Sequence, residues 1–149
     1  MALRKDLFPM EALLVGRLPE GKEWRYEPKW DGFRCLAYKR QNTVSLRSKS
    51  GRPLERYFPD IVSVLAKVPA KEFVLDGELL VEGKTGYSFS DLQMRLHPAA
   101  SRVAKLAGET PASFVAFDLL ADGGRDIRGE AYEDLRRFAD RVLPEIKTW

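Results

Sequence analysis

The 149-residue sequence contains one cysteine and one histidine, and it has no long uninterrupted apolar run. Cys35 alone cannot form an internal disulfide, and its place in an alternating stretch predicts a small core residue rather than a reactive thiol. His97 precedes a proline and is interpreted as a helix-boundary residue. A hydrolase built on a Ser-His or Cys-His pair is therefore not expected, and neither is a metal cluster of Cys and His.

A membrane segment and a targeting segment are also missing from the sequence. No run of about 18 apolar residues is present, and residues 1–6 lead into no signal-peptide core. We therefore expect a cytoplasmic protein with no membrane partner. The 44% apolar and 11% aromatic residues suit the core of one globular domain. The net charge of +3 and the pI of about 9.0 are compatible with a nucleic-acid partner without requiring one.

The spacing of apolar residues predicts a mixture of strands and helices. Period-two alternation predicts strands, the first two of them paired, over residues 24–26, 32–39, 43–47, 73–81 and 113–120. Helical spacing predicts helices over residues 59–68, two short ones within 88–107, and one over 130–142 with Pro144 near its end. Strands joined mostly by short turns favour an α+β fold with antiparallel sheets over a doubly wound parallel sheet.

Shorter signals mark the ends of these elements. Ser90 with Gln93 is typical of a capping box, and Phe89 with Met94 occupies the positions of a hydrophobic staple. Before the first predicted strand, residues 1–23 contain proline and glycine residues that interrupt regular structure, around a short apolar patch. We interpret this segment as an arm that packs on the domain.

Lys29 lies in a stretch whose residue types predict a fixed position for its amine. Pro28 fixes its own backbone angle and Asp31-Gly32 is a turn signal, so we expect Lys29 at the mouth of a hairpin. A lysine acts as a nucleophile only after losing its proton, and its ordinary pKa near 10.4 opposes that at neutral pH. Burial or neighbouring cations, such as Arg34 and the basic segment after Ser45, would lower the pKa. The alternative is an exposed turn lysine.

Asp76 and Glu78 stand in the most strand-like run of the sequence, among apolar residues. Period two places both carboxylates on one face of that strand. Unpaired carboxylates in apolar surroundings are costly, so each needs a partner. A structural salt bridge to an arginine would satisfy that need.

Four motifs follow one another in an order and with spacings that resemble a known family. They are Lys29-Trp30-Asp31-Gly32, which matches K-x-D-G, then Ser48-Lys49-Ser50-Gly51, Leu75-Asp76-Gly77-Glu78-Leu79 and Phe117-Asp118-Leu119-Leu120. Together they resemble the adenylation domain of ATP-dependent DNA ligases, of the bacterial kind associated with end joining and repair, across nearly all of the sequence. The resemblance implies an ATP-grasp-like nucleotidyltransferase fold, with antiparallel sheets flanked by helices and the nucleotide held between them.

The resemblance also implies roles for individual residues. Lys29 would attack the α-phosphorus of ATP and carry AMP as a covalent lysyl-AMP. Arg34 would hold ribose and phosphate through its guanidinium fork, and Phe117 would stack on adenine. The other implied roles are adenine contact by Glu27, and binding of ribose or Mg²⁺ (or Mn²⁺) by Glu78 with Asp76 in the same network. The implied substrate is nicked or broken double-stranded DNA.

Several of these residues also have an ordinary structural explanation. Phe117 fits a core residue equally well by its periodicity, Glu27 fits a solvated residue before a proline, and Arg34 fits a solvated strand arginine. The loop at Lys49 departs from the family, whose segment usually reads S-R-x-G, and a lysine lacks the planar fork of an arginine. We assign nucleotide phosphate contact to Lys49, with Arg47 and Arg52 as alternatives.

The sequence also lacks parts that the family has after its Phe117-Asp118 motif. Neither a glutamate-glycine strand nor a K-x-K strand is found, since Lys147 has no second lysine beside it, and no OB-fold follows. We therefore interpret residues 1–149 as part of an adenylation domain, incomplete at its C-terminal side. We expect at most weak binding of ATP or AMP, slow or absent self-adenylation, and no nick sealing by the chain alone.

This incompleteness fits the front part of a longer ligase, with a partner polypeptide that carries the rest as one option, or a reduced relative with another role. Three alternatives stay open. The chain could be a non-catalytic nucleotide- or DNA-binding module, one half of a split ligase, or a structural partner whose sheet is completed by a second polypeptide.

Overall fold

The computed structural model describes residues 7–142 and 147–148. Its strands are β1 (Phe33–Arg40), β2 (Thr43–Ser48), β3 (Glu72–Gly83), β4 (Gly86–Tyr87), β5 (Ala112–Asp122), β6 (Arg125–Asp126) and β7 (Lys147–Thr148). Its helices are α1 (Pro59–Lys67), α2 (Phe89–Met94), α3 (Ala100–Glu109) and α4 (Glu133–Val142), with a 3-10 turn at Glu55–Tyr57. The predicted helix end at Pro144 and the side chain of Lys147 lie outside the described residues. No helix within the described ranges is long and apolar enough to cross a membrane.

Five strands form the main path of the sheet in the order β2-β1-β3-β5-β6, and each neighbouring pair is antiparallel. The central strand, β3, is buried from Phe73 to Val81 between β1 and β5. The short strand β4 pairs with β3, while β7 pairs in parallel with β5. This topology confirms the predicted α+β fold with antiparallel strands.

The sheet separates a large apolar core from a small one. Along β1, Cys35 and Ala37 enter the large core, which also receives buried side chains of α1, α2 and α4. The small core consists of Leu36, Tyr38, Val74, Leu120 and Ala121, with Leu7 packed against it. By the same alternation, Arg34, Asp76 and Glu78 fall on the small-core face of the sheet. Charged groups therefore collect on the face that has less apolar packing.

A buried arginine joins the helices to the sheet. Arg95, directly after α2, is fully buried and donates to both carboxylate oxygens of Asp60, from NH1 at 3.1 Å and from NH2 at 2.7 Å. It also donates to the carbonyl oxygens of Tyr57 and Thr110, at 3.0 and 3.1 Å. Asp60 accepts in addition from the N–H of Ala112 at 2.8 Å, where β5 begins. The network ties α1, the end of α2, the end of α3 and β5 together.

Most predicted elements are confirmed with bounds shifted by a few residues, but the strand over residues 24–26 is wrong. Trp24 and Tyr26 are 48% and 58% exposed, and β1 pairs instead with β2 and β3. Without the packing that favours aromatic residues in a sheet, this segment stays irregular. Lys29 therefore lies in a loop before β1 and not at the mouth of a hairpin.

The predicted cap and the predicted arm also need correction. The N-cap of α2 is Ser88, whose hydroxyl accepts from the Asp91 N–H at 3.2 Å, and the staple residues Phe89 and Met94 are each about half exposed. In the arm, Leu7 and Pro9 pack on the domain. The apolar patch at residues 12–15 does not, since its leucines are 86% and 96% exposed.

Candidate active site

A cavity of about 1070 Å³ opens beside β1, β3 and β5. Its walls come from the arm, the segment before β1, these three strands and the turn before α4. Except for Lys49, every predicted site residue lines it, and these are Glu27, Lys29, Arg34, Asp76, Glu78 and Phe117. Residues distant in the sequence thus face one space whose volume is comparable to that of small-molecule sites.

Gly32 allows the segment that carries Lys29 to lie directly against β3. Its N–H donates to Oε1 of Glu78 at 3.0 Å. A Cβ atom at this position would lie 2.0 Å from the carbonyl oxygen of Leu79, so any side chain would push the segment away from the strand. A glycine is therefore required here, because only a residue without a Cβ lets the two backbones approach so closely.

Arg34 and Asp76 form a bidentate ion pair in the cavity. The Nε atom of Arg34 donates to Oδ1 at 2.6 Å, and its NH2 group donates to Oδ2 at 2.7 Å. The Asp76 side chain is 4% exposed, and this pairing supplies the partner that a buried carboxylate needs. The arginine salt bridge weighed as an alternative thus accounts for Asp76. A role for Asp76 beside a metal stays a prediction.

Phe117 is half-buried and belongs to neither apolar core. The guanidinium carbon of Arg34 lies 4.7 Å from the centroid of its ring, in a cation–π arrangement. The same guanidinium donates to the carbonyl oxygen of Met10 in the arm at 3.3 Å. The interpretation of Phe117 as a core residue is therefore wrong, and its stacking on adenine stays a prediction.

Two carboxylates in the cavity have raised pKa values. Burial raises the pKa of Glu78, although the hydrogen bond from Gly32 and the charge of Arg34 oppose the change. Desolvation likewise raises the pKa of Asp118, whose Oδ1 accepts from the N–H of Leu119 at 2.8 Å. Both groups hold a proton at a pH where an ordinary carboxylate is ionised. A cation placed beside them would favour their charged forms.

Lys29 is 85% exposed at its side chain, and its amine forms an ion pair with Asp31. The hydrogen bond to Asp31 raises the pKa of Lys29, and the charge of Asp31 acts in the same direction. The expectation that burial or neighbouring cations lower this pKa is therefore wrong. The physical reason is that Asp31 contacts the amine, while the cation of Arg34 is bound to Asp76.

Glu27 lines the cavity, and burial together with the nearby carboxylate of Glu27 raises the pKa of the Tyr132 phenol. Tyr132 also lines the cavity and comes from the turn that leads into α4. Sequence reasoning missed Tyr132, because its spacing predicted one more apolar residue of the helix face. It also left out Asp118, although this residue stands in the Phe117-Asp118 motif.

Lys49 lies beside the main cavity, in a second one of about 670 Å³. Its amine is 3.0 Å from a carboxylate oxygen of Glu11. Of the two alternative cations, Arg52 lines this second cavity, while Arg47 approaches Glu55 at 3.8 Å. The two cavities share four wall residues, which are Glu11, Gly32, Arg34 and Glu78.

The chain is similar in sequence to known DNA ligases. The profile of the ATP dependent DNA ligase domain matches residues 11–148. DNA ligase C2 of Mycolicibacterium smegmatis is 42% identical over 137 residues, which cover 92% of this chain and 38% of that protein. The bifunctional non-homologous end joining protein LigD of Bacillus subtilis is 33% identical, over 94% of this chain and 24% of that protein.

A solved structure shows the same similarity in three dimensions. The ligase domain of Mycobacterium tuberculosis LigD superposes with a TM-score of 0.64 at 33% identity, over 83% of this chain and 38% of that one. The chain thus spans well under half the length of each of these relatives. The similarity covers most of this chain and a portion of each of them.

Proposed function

The chain belongs to the ATP-dependent DNA ligase domain family, and we propose that it is a portion of an adenylation domain that uses ATP. In this portion Lys29 accepts AMP as a covalent lysyl-AMP, the step that precedes the joining of DNA strands in end joining and repair. Its substrate is nicked or broken double-stranded DNA, and its place is the cytoplasm, at the nucleoid.

The convergence of the motifs on one cavity is the observation that carries this proposal. Lys29, Arg34, Glu78 and Phe117 are spread over 89 positions of the chain, yet all four line the same space of about 1070 Å³. That space combines an amine, a guanidinium, a carboxylate and an aromatic ring. The amine suits attack on phosphorus, and the guanidinium suits phosphate binding. The carboxylate suits binding of ribose or a metal, and the aromatic ring suits stacking on a base.

The proposed chemistry forms a bond between Nζ of Lys29 and the α-phosphorus of ATP and breaks the bond to the bridging oxygen of the β-phosphate. Pyrophosphate leaves with that electron pair, and the lysine ammonium loses two of its three protons, one before attack and one after it, so that one N–H remains in the phosphoramidate. Phosphoryl transfer of this kind depends mostly on positioning and charge stabilisation. The carboxylate of Asp31, already in contact with the amine, is the nearest group to receive a proton.

Glu78 and Asp76 differ in whether they have a carboxylate oxygen available for a divalent cation. Mg²⁺ usually binds one or two carboxylates and takes its other ligands from water and substrate phosphates. Glu78 uses one oxygen for Gly32, which leaves its second oxygen for such an ion, whereas both oxygens of Asp76 accept from Arg34. Mg²⁺ or Mn²⁺ bound there would neutralise charge on the phosphates, and Glu78 is the residue that would hold it.

Incubation with ATP labelled at its α-phosphate, followed by a denaturing gel and intact mass, tests the proposal. We expect slow AMP addition to the wild-type chain, none to Lys29→Ala, and wild-type behaviour for Lys84→Ala, an exposed lysine in the β3–β4 turn. Slow addition is expected because the K-x-K lysines are absent from the sequence, and losing one preorganised donor commonly costs about 100- to 1000-fold in rate.

The other outcomes separate the competing explanations. Addition that appears when a polypeptide with the missing strands is supplied would identify one half of a split or divided ligase. AMP addition that persists in Lys29→Ala would refute the proposed role of this lysine. Binding of ATP by calorimetry with no covalent AMP under either condition would identify a non-catalytic nucleotide-binding module, and submicromolar affinity would contradict the expected weak binding.

A further inference from the structure

The arm contacts the loop of residues 48–52 at two points. A carboxylate oxygen of Glu11 lies 3.0 Å from the amine of Lys49, and a Cβ atom at Gly51 would lie 3.9 Å from Cε1 of Phe8. Glu11 and Lys49 both line the second cavity of about 670 Å³, and Glu11 lines the main cavity as well. The ion pair therefore lies where the two cavities adjoin.

Three hydrogen bonds fix the shape of the loop that carries Lys49. The N–H of Ser48 donates to the carbonyl oxygen of Arg52 at 2.9 Å, and the N–H of Gly51 donates to that of Ser48 at 2.8 Å. The N–H of Arg52 donates to the Ser48 hydroxyl at 3.0 Å. Gly51 has a φ of +80°, which glycine adopts without steric cost. Lys49 is thus presented from a defined backbone.

The arm is also held in place directly before Glu11. Leu7 packs on the small core, Pro9 is buried, and the carbonyl oxygen of Met10 accepts from Arg34 at 3.3 Å. After Glu11 the chain leaves the domain, since Leu13 is 86% exposed. A carboxylate tethered beside an amine competes with dissolved anions at a high effective concentration. Glu11 is therefore a built-in competitor for the amine of Lys49.

The second cavity carries the groups that bind phosphate oxygens. The amine of Lys49 and the guanidinium of Arg52 line it, together with Ser48 and Ser50. Amines and guanidinium groups donate charge-assisted hydrogen bonds to phosphate, and hydroxyls add neutral ones. The Glu11 side chain is 73% exposed, so its release into water costs little, and a phosphate with more than one charge can replace it.

We propose that the second cavity binds a phosphate group and that Glu11 closes it, by occupying the amine of Lys49 until the phosphate displaces the carboxylate. This inference deepens the proposed function and rests on it for the source of the phosphate, which is either the nucleotide or the DNA. The ion pair and the cavity belong to the chain itself. The closure is therefore testable whether or not the chain forms lysyl-AMP.

A titration with inorganic pyrophosphate, followed through the amide NMR signals of residues 49–52, is the primary test. Glu11→Gln removes the charge and nearly keeps the shape, while the control Glu20→Gln removes the same charge from an exposed part of the arm that lines neither cavity. We expect the affinity to rise about threefold in Glu11→Gln, as loss of an exposed ion pair implies, and to stay at the wild-type value in Glu20→Gln. Equal affinity in Glu11→Gln and wild type would overturn the proposal, as would an equal rise in the control.

A second comparison separates closure through Lys49 from simple repulsion of anions by Glu11. In a Lys49→Gln background there is no amine to occupy, so adding Glu11→Gln should raise the affinity by much less than threefold. The amide signals of residues 10–13 should also shift when pyrophosphate binds to the wild-type chain, because the carboxylate is released. An equal gain in both backgrounds, or arm signals that stay unmoved in the wild-type chain, would refute the closure.

The same variants distinguish the two sources of phosphate. A gain in Glu11→Gln for ATP and not for a nicked duplex would assign the second cavity to the nucleotide. A gain for a nicked duplex that disappears when its 5′-phosphate is removed would assign the cavity to the DNA end. A gain for neither ligand would overturn the proposal.

The two hypotheses fail separately. If Glu11→Gln strengthens pyrophosphate binding while Lys29→Ala still takes up AMP, the closure stands and the nucleophile assignment falls. If AMP addition depends on Lys29 but pyrophosphate binding is unchanged in Glu11→Gln, the proposed function stands and the closure falls.

Discussion

Two arginine–aspartate pairs in this molecule have nearly the same chemistry and different surroundings. In each pair two guanidinium nitrogens donate to the two oxygens of one carboxylate. Each guanidinium also lies over a phenylalanine ring, Arg34 at 4.7 Å from Phe117 and Arg95 at 5.0 Å from Phe58. The Arg95 side chain is fully buried, whereas that of Arg34 is 29% exposed.

What surrounds each pair decides its role. Two backbone carbonyl oxygens accept further hydrogen bonds from Arg95, and Asp60 accepts one from the N–H at the start of β5. This pair is therefore closed, in the sense that neighbouring parts of the fold surround it. Arg34 instead faces the cavity, and its further hydrogen bond goes to the backbone of the arm. The same side-chain geometry therefore serves as a structural tie in one place and forms part of a cavity wall in the other.

Replacing each arginine by methionine should give the largest effect and the clearest separation. Arg95→Met removes a fully buried guanidinium together with its hydrogen bonds to Asp60, Tyr57 and Thr110, and breaking a buried pair in this way costs about 3–5 kcal/mol. Arg34→Met should cost less, about 1–2 kcal/mol, because the Arg34 side chain is 29% exposed on the cavity wall, so its removal opens Asp76 to water. Urea unfolding of both variants measures the difference in the free energy of unfolding.

If Arg95→Met does not fold, the double variant Arg95→Met with Asp60→Asn provides the check. Removing the unpaired charge should recover part of the lost stability. Equal losses in the two single variants would contradict the distinction between a closed and an open pair.

Gly32→Ala should have the next largest effect and tests how closely the Lys29 segment is packed. The added Cβ would lie 2.0 Å from the Leu79 carbonyl oxygen, and overpacking of this kind typically costs about 1–3 kcal/mol. The control is Gly16→Ala, where a Cβ would meet no atom within 4 Å. Thermal unfolding measures both, and a Gly32→Ala variant as stable as Gly16→Ala would show that the segment is held elsewhere.

The two pairs also show what could be read from the sequence. Asp76 and Glu78 were recognisable because carboxylates in an apolar strand need partners, and Arg34 because it follows a family motif. Arg95 carried no such signal, since one arginine after a short helix looks ordinary and its partner lies 35 positions away. Long-range pairing of this kind leaves no trace in local spacing, whereas the strands and helices do, through periods of two and 3.6.

The errors at the site have a related cause. The residue types around Lys29 predicted a fixed amine, but not that Asp31 would contact it and raise its pKa. Trp24 to Tyr26 has strand-like residues, yet its exposure shows that no neighbouring strand covers it. Composition and spacing reveal which groups are present and leave open which neighbour each one meets.

Arg34→Lys should separate ligand binding from stability. Lysine keeps the charge but cannot donate two parallel hydrogen bonds to Asp76 or cover the Phe117 ring as a planar group. We expect the affinity for AMP to fall about tenfold, which corresponds to about 1.4 kcal/mol, with a change in the free energy of unfolding below about 1 kcal/mol. Calorimetry measures this, with Arg40→Lys as the control because Arg40 is exposed, pairs with Glu72 and lines neither cavity. An affinity for AMP that is unchanged in Arg34→Lys would place the nucleotide outside the main cavity.

The smallest expected effect is a pH dependence of the free energy of unfolding, which comes from Glu78 in the candidate site. Its pKa in the folded chain is raised above the ordinary 4.5 by burial. Between these two values the folded state holds a proton that the unfolded chain has lost. The free energy of unfolding therefore decreases as the pH rises from about 4.5 through the raised pKa. Glu78→Gln removes this contribution while an amide oxygen can still accept from Gly32.

Urea unfolding at a series of pH values should show a flatter curve for Glu78→Gln over that window than for the wild-type chain. The control, Glu82→Gln, changes an exposed glutamate near the end of the same strand and should keep the wild-type slope. Added Mg²⁺ with AMP should lower the pH at which wild-type Glu78 loses its proton, because a bound cation favours the ionised carboxylate. That shift should be absent in Glu78→Gln. If both variants follow the wild-type curve, the carboxylate of Glu78 is solvated as an ordinary surface group and the cavity is wetter than its burial implies.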